Sequence, residues 1–304
     1  MRILVLGAGA TGGYFGGRLL QAGRDVTFLV RPKRAAALAT SGLVIKSPFG
    51  DARLDSPPTV LAQALAAPYD LILLSCKAYD LDDAVSAISP AVGVNTLILP
   101  LLNGMRHLGV LHERFGEDKV LGGRCVIAAT LDEAGGIAHL NETHGLTFGE
   151  RNGGSTKRLA EVAEVLCDAG FDAHASATIE QDMWEKWVML ASLAAGTCLM
   201  RAAIGVIVAS PGGGDFLTGL FEECCAIATA NGFAPREKFR QFAKDLLTET
   251  GSTLTASMLR DLEAGYRTEA DHIIGDLLSR RGNVEARLLA VAYTHLKAHE
   301  RSAG

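Results

Sequence analysis

The stretch MRILVLGAGATGGYFGGRLLQAGRDVTFLVR, residues 1–31, decides the fold. Arg2 to Leu6 is almost wholly aliphatic, as a parallel strand buried on both faces must be. Gly7-Ala8-Gly9-Ala10-Thr11-Gly12 follows at once and fits G-x-G-x-x-G. In that pattern the first glycine permits a tight turn. The second leaves room for a pyrophosphate to approach the backbone, and the third lets the next helix lie close on the strand. The helix N-terminus offers free N–H groups and a partial positive charge to the phosphates. That helix is expected to run through Tyr14, Phe15, Leu19 and Leu20 and to stop near Gly23, with Asp25–Val30 as the second strand. Strand, glycine turn, helix and strand together point to a Rossmann-type dinucleotide site. A glycine-rich turn in another α/β fold is the competing interpretation.

The second strand ends on Arg31, with Lys33 and Arg34 just beyond. A site for NAD places Asp or Glu there, to hold the ribose 2′-hydroxyl. A carboxylate repels a 2′-phosphate, whereas a guanidinium grips it with paired hydrogen bonds. Arg31 therefore favours NADP(H) over NAD(H). The plainer alternative is that these cations are solvated surface charges.

Working outward, 304 residues suggest two domains. Hydrophobic residues are 48% of the chain and charged residues 21%, enough for real cores and too little charge for disorder. The net charge of −5 argues against nucleic acid, which wants a basic face. No apolar run is long enough for a bilayer, and the N-terminus lacks the parts of a signal peptide. The six cysteines (76, 125, 167, 198, 224, 225) form no C-x-x-C pair, and no metal signature is present. These features point to a cytoplasmic protein without membrane partners.

Gly42–Leu54 suggests two short strands around a turn at 48–50, and a short helix is expected near 61–66. Leu71–Ser75 is a buried strand ending on Lys77. Thr96–Leu99 is another, ending near Asn103. Ligands in open α/β sheets bind beyond the carboxyl ends of strands, so Lys77 and Asn103 become candidates to face the glycine loop. Val120–His144 suggests strands that extend or flank the sheet, and residues 170–176 a last short one. From Ile179 helical periodicity takes over: 179–200, 216–230, 235–248, 254–263, 269–280 and 284–299. The expected organisation is a Rossmann domain, 1–177, and a helical domain for substrate and dimerisation, 178–304. Apolar helix faces to spare make a homodimer plausible.

In the helical half, Lys186 stands between Trp184 and Trp187. Burial beside aromatic surface would lower its pKa and suit it to proton donation; a snorkelling lysine at a domain edge is the alternative. Thr268 is placed to cap a helix opened by Glu269, with His272 an ordinary helix residue.

Taken together, GAGATGGYFG, CKAYD (76–80), LNGM (102–105), WEKW (184–187) and SMLRDLEAGYRTEAD (257–271) resemble the ketopantoate reductases (2-dehydropantoate 2-reductases) over essentially the whole length. The resemblance implies a Rossmann domain joined to a helical domain like that of 6-phosphogluconate dehydrogenase, with NADPH in the cleft between them. It implies hydride transfer to the keto carbon of a 2-oxo acid in pantothenate biosynthesis. Lys186 matches the general acid and Glu269 the active-site glutamate. Ser257 matches the substrate-binding serine, and Asn103 and Lys77 match residues lining the nicotinamide and substrate side. Arg31 matches the 2′-phosphate binder. The family's pocket asparagines are replaced by Leu190, Ala194 and Leu254. Leu190 and Ala194 follow Lys186 at i+4 and i+8, on its helix face. A paralogue for a more apolar 2-oxo acid, or a non-catalytic NADP-binding module, are the alternatives.

Overall fold

In the computed structural model, which describes residues 1–302, the aliphatic opening run becomes strand β1 (Arg2–Leu6) and the glycine turn leads into helix α1 (Ala10–Gln21). There follow β2 (Asp25–Leu29), α2 (Pro32–Ser41), β3 (Leu43–Lys46), β4 (Ala52–Leu54), β5 (Thr59–Val60), β6 (Tyr69–Leu74), α3 (Leu81–Ile88), β7 (Val92–Pro100) and α4 (Arg106–Phe115). Next come β8 (Gly122–Leu131), β9 (Ile137–Gly149), α5 (Lys157–Leu166) and β10 (Asp172–Ala175). Contacts divide the chain into two units. One holds residues 1–102 and 107–180; the other holds residues 103–106 and the chain from Gln181 onward.

The first unit has two sheets. One is parallel, in the order β5-β2-β1-β6-β7. Its strands read as unbroken aliphatic runs because both faces are covered. The order reverses between β1 and β6, the switch point where open α/β sheets bind ligands. The second sheet runs β10-β9-β3-β4, with β8 antiparallel to β9. Residues 120–144 therefore do not extend the first sheet. They meet it at a single bridge, Ile98 to Val120, and then turn away to pair with each other. The stretch near 61–66 is only a 3-10 turn, Ala62–Ala64.

Helix α1 is wedged against strands of both sheets, which explains its surplus of glycines. A Cβ at Gly16 would lie 2.6 Å from Phe28 of β2. Across the helix, a Cβ at Gly13 would lie 2.6 Å from Ile137 of β9, and one at Gly17 would lie 2.8 Å from Ile45 of β3. Phe15, Phe28, Phe148 and Ile137 close the core around it.

The second unit is helical: α6 (Ile179–Met200), α7 (Ile204–Ala209), α8 (Gly213–Ala230), α9 (Glu237–Leu247), α10 (Ser257–Glu263), α11 (Asp276–Ser279) and α12 (Arg287–Ser302). Helix α6 is buried nearly all round, as its lack of a polar stripe requires. The stretch expected as one helix over 269–280 instead opens with a π-helical turn, Asp271–Gly275, before α11. No described helix is long and apolar enough to cross a membrane.

Candidate active site

The glycine loop sits at the switch point of the parallel sheet. Gly7 has φ +89°, and its N–H donates to the Leu29 carbonyl at 3.0 Å. A Cβ there would lie 2.4 Å from the Ser75 carbonyl oxygen, and one at Gly12 would lie 2.2 Å from the Gly7 carbonyl. Both positions are closed to larger residues by the protein itself. Gly9 differs: a Cβ there would meet nothing within 4 Å. The protein's own packing does not require that glycine, and the open space above it suits an approaching diphosphate. Ala8 is buried, while Gly9, Ala10 and Thr11 are half-buried at the start of α1. The residues present therefore fit a dinucleotide loop.

Arg31 lies just past β2 and precedes Pro32 at the first position of α2, where a missing N–H costs nothing. Its side chain is 73% exposed and reaches Asp80 at 3.4 Å. An exposed pair of this kind contributes little to stability, and the guanidinium remains within solvent's reach. Arg34 is not a solvated surface charge. Its Nε donates to the Ala8 carbonyl and its Nη1 to the Gly135 carbonyl, both at 2.9 Å. It thereby ties the glycine loop to the β8–β9 turn. Burial lowers its pKa from the ordinary arginine value. Nothing in a single sequence pairs residue 34 with residue 135. Lys77 is half-buried two residues beyond Ser75, the residue against which Gly7 and Gly12 close.

In the helical unit, Lys186 is half-buried on α6 between the buried Trp184 and Trp187. Its Nζ donates to Asn103 Oδ1 at 2.9 Å. That bond is one reason residues 103–106 cluster with helices that begin nearly eighty residues later. The neighbours of both residues extend the cluster. Trp187 Nε1 donates to the Ile273 carbonyl at 2.8 Å. A Cβ at Gly104, which has φ +73°, would lie 2.7 Å from the His272 carbonyl oxygen. Lys186 and Asn103 are thus anchored to the π-helical turn that follows Glu269, itself buried at 9% exposure. The Glu269 carbonyl accepts from the N–H groups of both His272 and Ile273 at 3.0 Å. Thr268 Oγ1 accepts from Ala270 N at 3.4 Å, a long version of the expected cap.

Ser257 is exposed at the start of α10. Its neighbour Ala256 donates to Thr197 Oγ1 at 3.4 Å, so the structure ties Ser257 to the far part of α6. By helical rise, Thr197 lies about 16 Å along α6 from Lys186. Leu190 and Ala194 fall between. Leu190 is half-buried, whereas Ala194 is wholly out of solvent's reach. Leu254 is half-buried, and its carbonyl accepts from Ile204 N.

One further cluster joins α1, the β3–β4 connection and β9. Tyr14 Oη and His144 Nδ1 share a hydrogen bond of 2.7 Å, and Phe49 stacks on the His144 ring at 3.8 Å. Burial lowers the His144 pKa more than Asp172 raises it. Among the described residues, no three His, Cys, Asp or Glu are grouped to hold a metal ion.

The family model described as ketopantoate reductase PanE/ApbA matches residues 3–153, and its C-terminal counterpart matches residues 178–300. The uncharacterized oxidoreductase YkpB of Bacillus subtilis is 35% identical over 99% of both chains. A 2-dehydropantoate 2-reductase of Halobacterium salinarum is 29% identical over 92% of each. Among solved structures, the 2-dehydropantoate 2-reductase of Geobacter metallireducens superposes with a TM-score of 0.90 at 26% identity, covering 98% of this chain and 99% of that one.

Proposed function

The chain belongs to the ketopantoate reductase family of oxidoreductases, and we propose that it reduces a 2-oxo acid to the 2-hydroxy acid with NADPH. Ketopantoate (2-dehydropantoate) is the leading substrate, which places the reaction in pantothenate biosynthesis. The observation that carries this reading is the 2.9 Å hydrogen bond from Lys186 Nζ to Asn103 Oδ1, beside the turn that follows Glu269.

A bound nicotinamide dinucleotide supplies the hydride that adds to the keto carbon. The oxygen of that carbonyl gains negative charge as the bond forms, and it needs a proton. Lys186 Nζ delivers it, acting as general acid. Asn103 fixes the direction of one of the three ammonium donors and so helps to hold the Lys186 side chain in one orientation. Glu269 contacts the oxo acid away from the reacting carbon, and the role of Ser257 as a second contact rests on the family resemblance alone. Gly7 to Gly12 would hold the diphosphate at the start of α1 and Arg31 the 2′-phosphate, and the family resemblance assigns Lys77 and Asn103 to nicotinamide binding. A homodimer is the expected assembly and the cytoplasm its setting.

The test is turnover of ketopantoate beside a panel of 2-oxo acids, with NADPH and NADH in parallel and the product identified. The panel includes acids with apolar side chains, because Leu190 and Ala194 follow Lys186 along α6. Ketopantoate reduced to pantoate, faster with NADPH than with NADH, is the expected result. NADPH binding without turnover of any 2-oxo acid would defeat the reading and leave a nucleotide-binding module.

A further inference from the structure

Glu269 stands two residues before a turn that is wider than an ordinary helix. Across Asp271–Gly275 the bonding pattern is π-helical, and the N–H of Asp276 donates to the Asp271 carbonyl. Such turns are rare and concentrate at functional sites.

Helix α12 grips this segment from one side. Tyr293, Lys297 and Glu300 recur at i, i+4 and i+7 and so share a face. Tyr293 Oη donates to Asp271 Oδ1 at 2.6 Å. Lys297 Nζ donates to Asp271 Oδ2 at 2.9 Å and also to Glu300 Oε2. Glu300 Oε1 accepts from Thr268 Oγ1 at 2.8 Å. The residue before Glu269 and the residue two after it are therefore tied to one helix face, with Lys297 as the joint. The Tyr293 ring also reaches the far end of the turn, where a Cβ on Gly275 would lie 3.0 Å from it. The phenol thus spans the wide turn from end to end. Trp187 holds the middle of the same turn at the Ile273 carbonyl.

The groups are ionised as the network needs. Burial alone would raise the Asp271 pKa, but the bonds from Tyr293 and Lys297 outweigh it and hold the carboxyl below its usual range. Lys297 is pushed up, chiefly by its bond to Glu300. Half-exposed ion pairs add little to folding stability. Their geometric effect is larger, since they fix two points that bracket a buried carboxylate.

We propose that Tyr293 and Lys297 are positioning residues for Glu269, holding Asp271 and, through Glu300, Thr268, so that the Glu269 carboxylate meets the oxo acid in one orientation. The inference rests on Glu269 contacting substrate, as proposed above.

The test compares the full-length chain with Lys297→Met, Lys297→Arg, Tyr293→Phe and Glu269→Gln. Each is measured for KM and kcat with ketopantoate, or with whichever panel acid turns over fastest. Each is also measured for Kd of NADPH by fluorescence titration and for Tm. Lys297→Met is expected to lower kcat/KM for the oxo acid by about tenfold or more, the scale of a mispositioned site group. The NADPH Kd should stay within about twofold, as for an independent site. Lys297→Arg should restore most of the loss. Tyr293→Phe keeps the ring against Gly275 and should show a smaller loss of the same kind; it decides the matter alone if Lys297→Met does not fold. A lowered Tm with normal kinetics in both variants would overturn the proposal, as would an equal weakening of NADPH binding. Glu269→Gln isolates the premise. If it is kinetically normal, the assignment of Glu269 fails and the clamp falls with it. If it is impaired while the α12 variants are normal, Glu269 stands and the clamp alone is lost.

Discussion

In the strand-bearing unit, glycines 7, 12, 13, 16 and 17 each sit where a Cβ would come within 2.8 Å of another atom. In the helical unit, Lys186, Asn103 and the turn after Glu269 are joined by two hydrogen bonds and one close backbone approach. The first region is specified by exclusion: at Gly7 and Gly12 a Cβ would strike a backbone oxygen, and at Gly13, Gly16 and Gly17 a packed side chain would have to give way. The second depends also on direction, since Lys186 Nζ must point at Asn103 Oδ1 and Trp187 Nε1 at the Ile273 carbonyl. Steric exclusion leaves a trace in a single sequence. Direction leaves almost none.

The largest effects are expected in the glycine loop, where Gly9 and Gly12 should respond differently to the same added methyl group. Gly12→Ala would drive a Cβ to 2.2 Å from the Gly7 carbonyl and 2.9 Å from Ser75 Cβ. Overpacking on this scale costs roughly 1–3 kcal/mol, so calorimetry should show a clear drop in Tm together with loss of NADPH binding. Gly9→Ala meets nothing and should leave Tm nearly unchanged. Its Kd for NADPH should nevertheless rise about tenfold, equivalent to about 1.4 kcal/mol. Equal Tm losses in the two variants would mean that Gly9 is also a packing residue and that no space is kept above it for a ligand.

Arg31 comes next. Removal of a charge-assisted contact costs about 1.5–3 kcal/mol, so Arg31→Ala should raise the KM for NADPH about tenfold or more. The KM for NADH should barely move, and Tm should hold because the side chain is exposed and its pair with Asp80 is weak. Equal effects on the two cofactors would remove the 2′-phosphate assignment.

The smallest effect belongs to His144. Its pKa in the folded chain is lowered, so the unfolded chain binds more protons once pH falls below about 6.5. Stability contributed by the neutral ring is present above that pH and is lost as pH falls through the folded-state value. Denaturant titrations should show lower stability at pH 5 than at pH 7, with this residue contributing to the loss. His144→Gln should make the slope shallower without flattening it, because burial also lowers His272 and His295. An unchanged slope would dissociate His144 from the acid sensitivity.

The same contrast sets what the sequence discloses. Gly7 and Gly12 were interpretable because their spacing is tied to one backbone geometry. Gly13 and Gly17 were not, because they meet Ile137 and Ile45 on a second sheet whose strands choose partners far away in sequence. Residues 120–144 announced strands, but local composition does not state which sheet receives them. The helices α2, α3 and α4 carry little local signal; in α2 the alanine-rich run is only a weak propensity cue. Helix α6 was visible over 179–200 because its apolar run is long. Lys186 and Asn103 lie 83 residues apart, and only the family resemblance linked them. The widened turn at 271–275 read as ordinary helix, since its extra residue is held by Tyr293 and Trp187 rather than by its own composition.

The most direct measurement of the central claim is NADPH consumption with ketopantoate by the wild-type chain and by Lys186→Ala, each with its NADPH Kd. The wild type should turn over, and Lys186→Ala should lose about a hundredfold or more in kcat, the scale of a lost general acid, with NADPH affinity nearly unchanged. A near-normal rate in Lys186→Ala would return the lysine to a structural role and contradict the account.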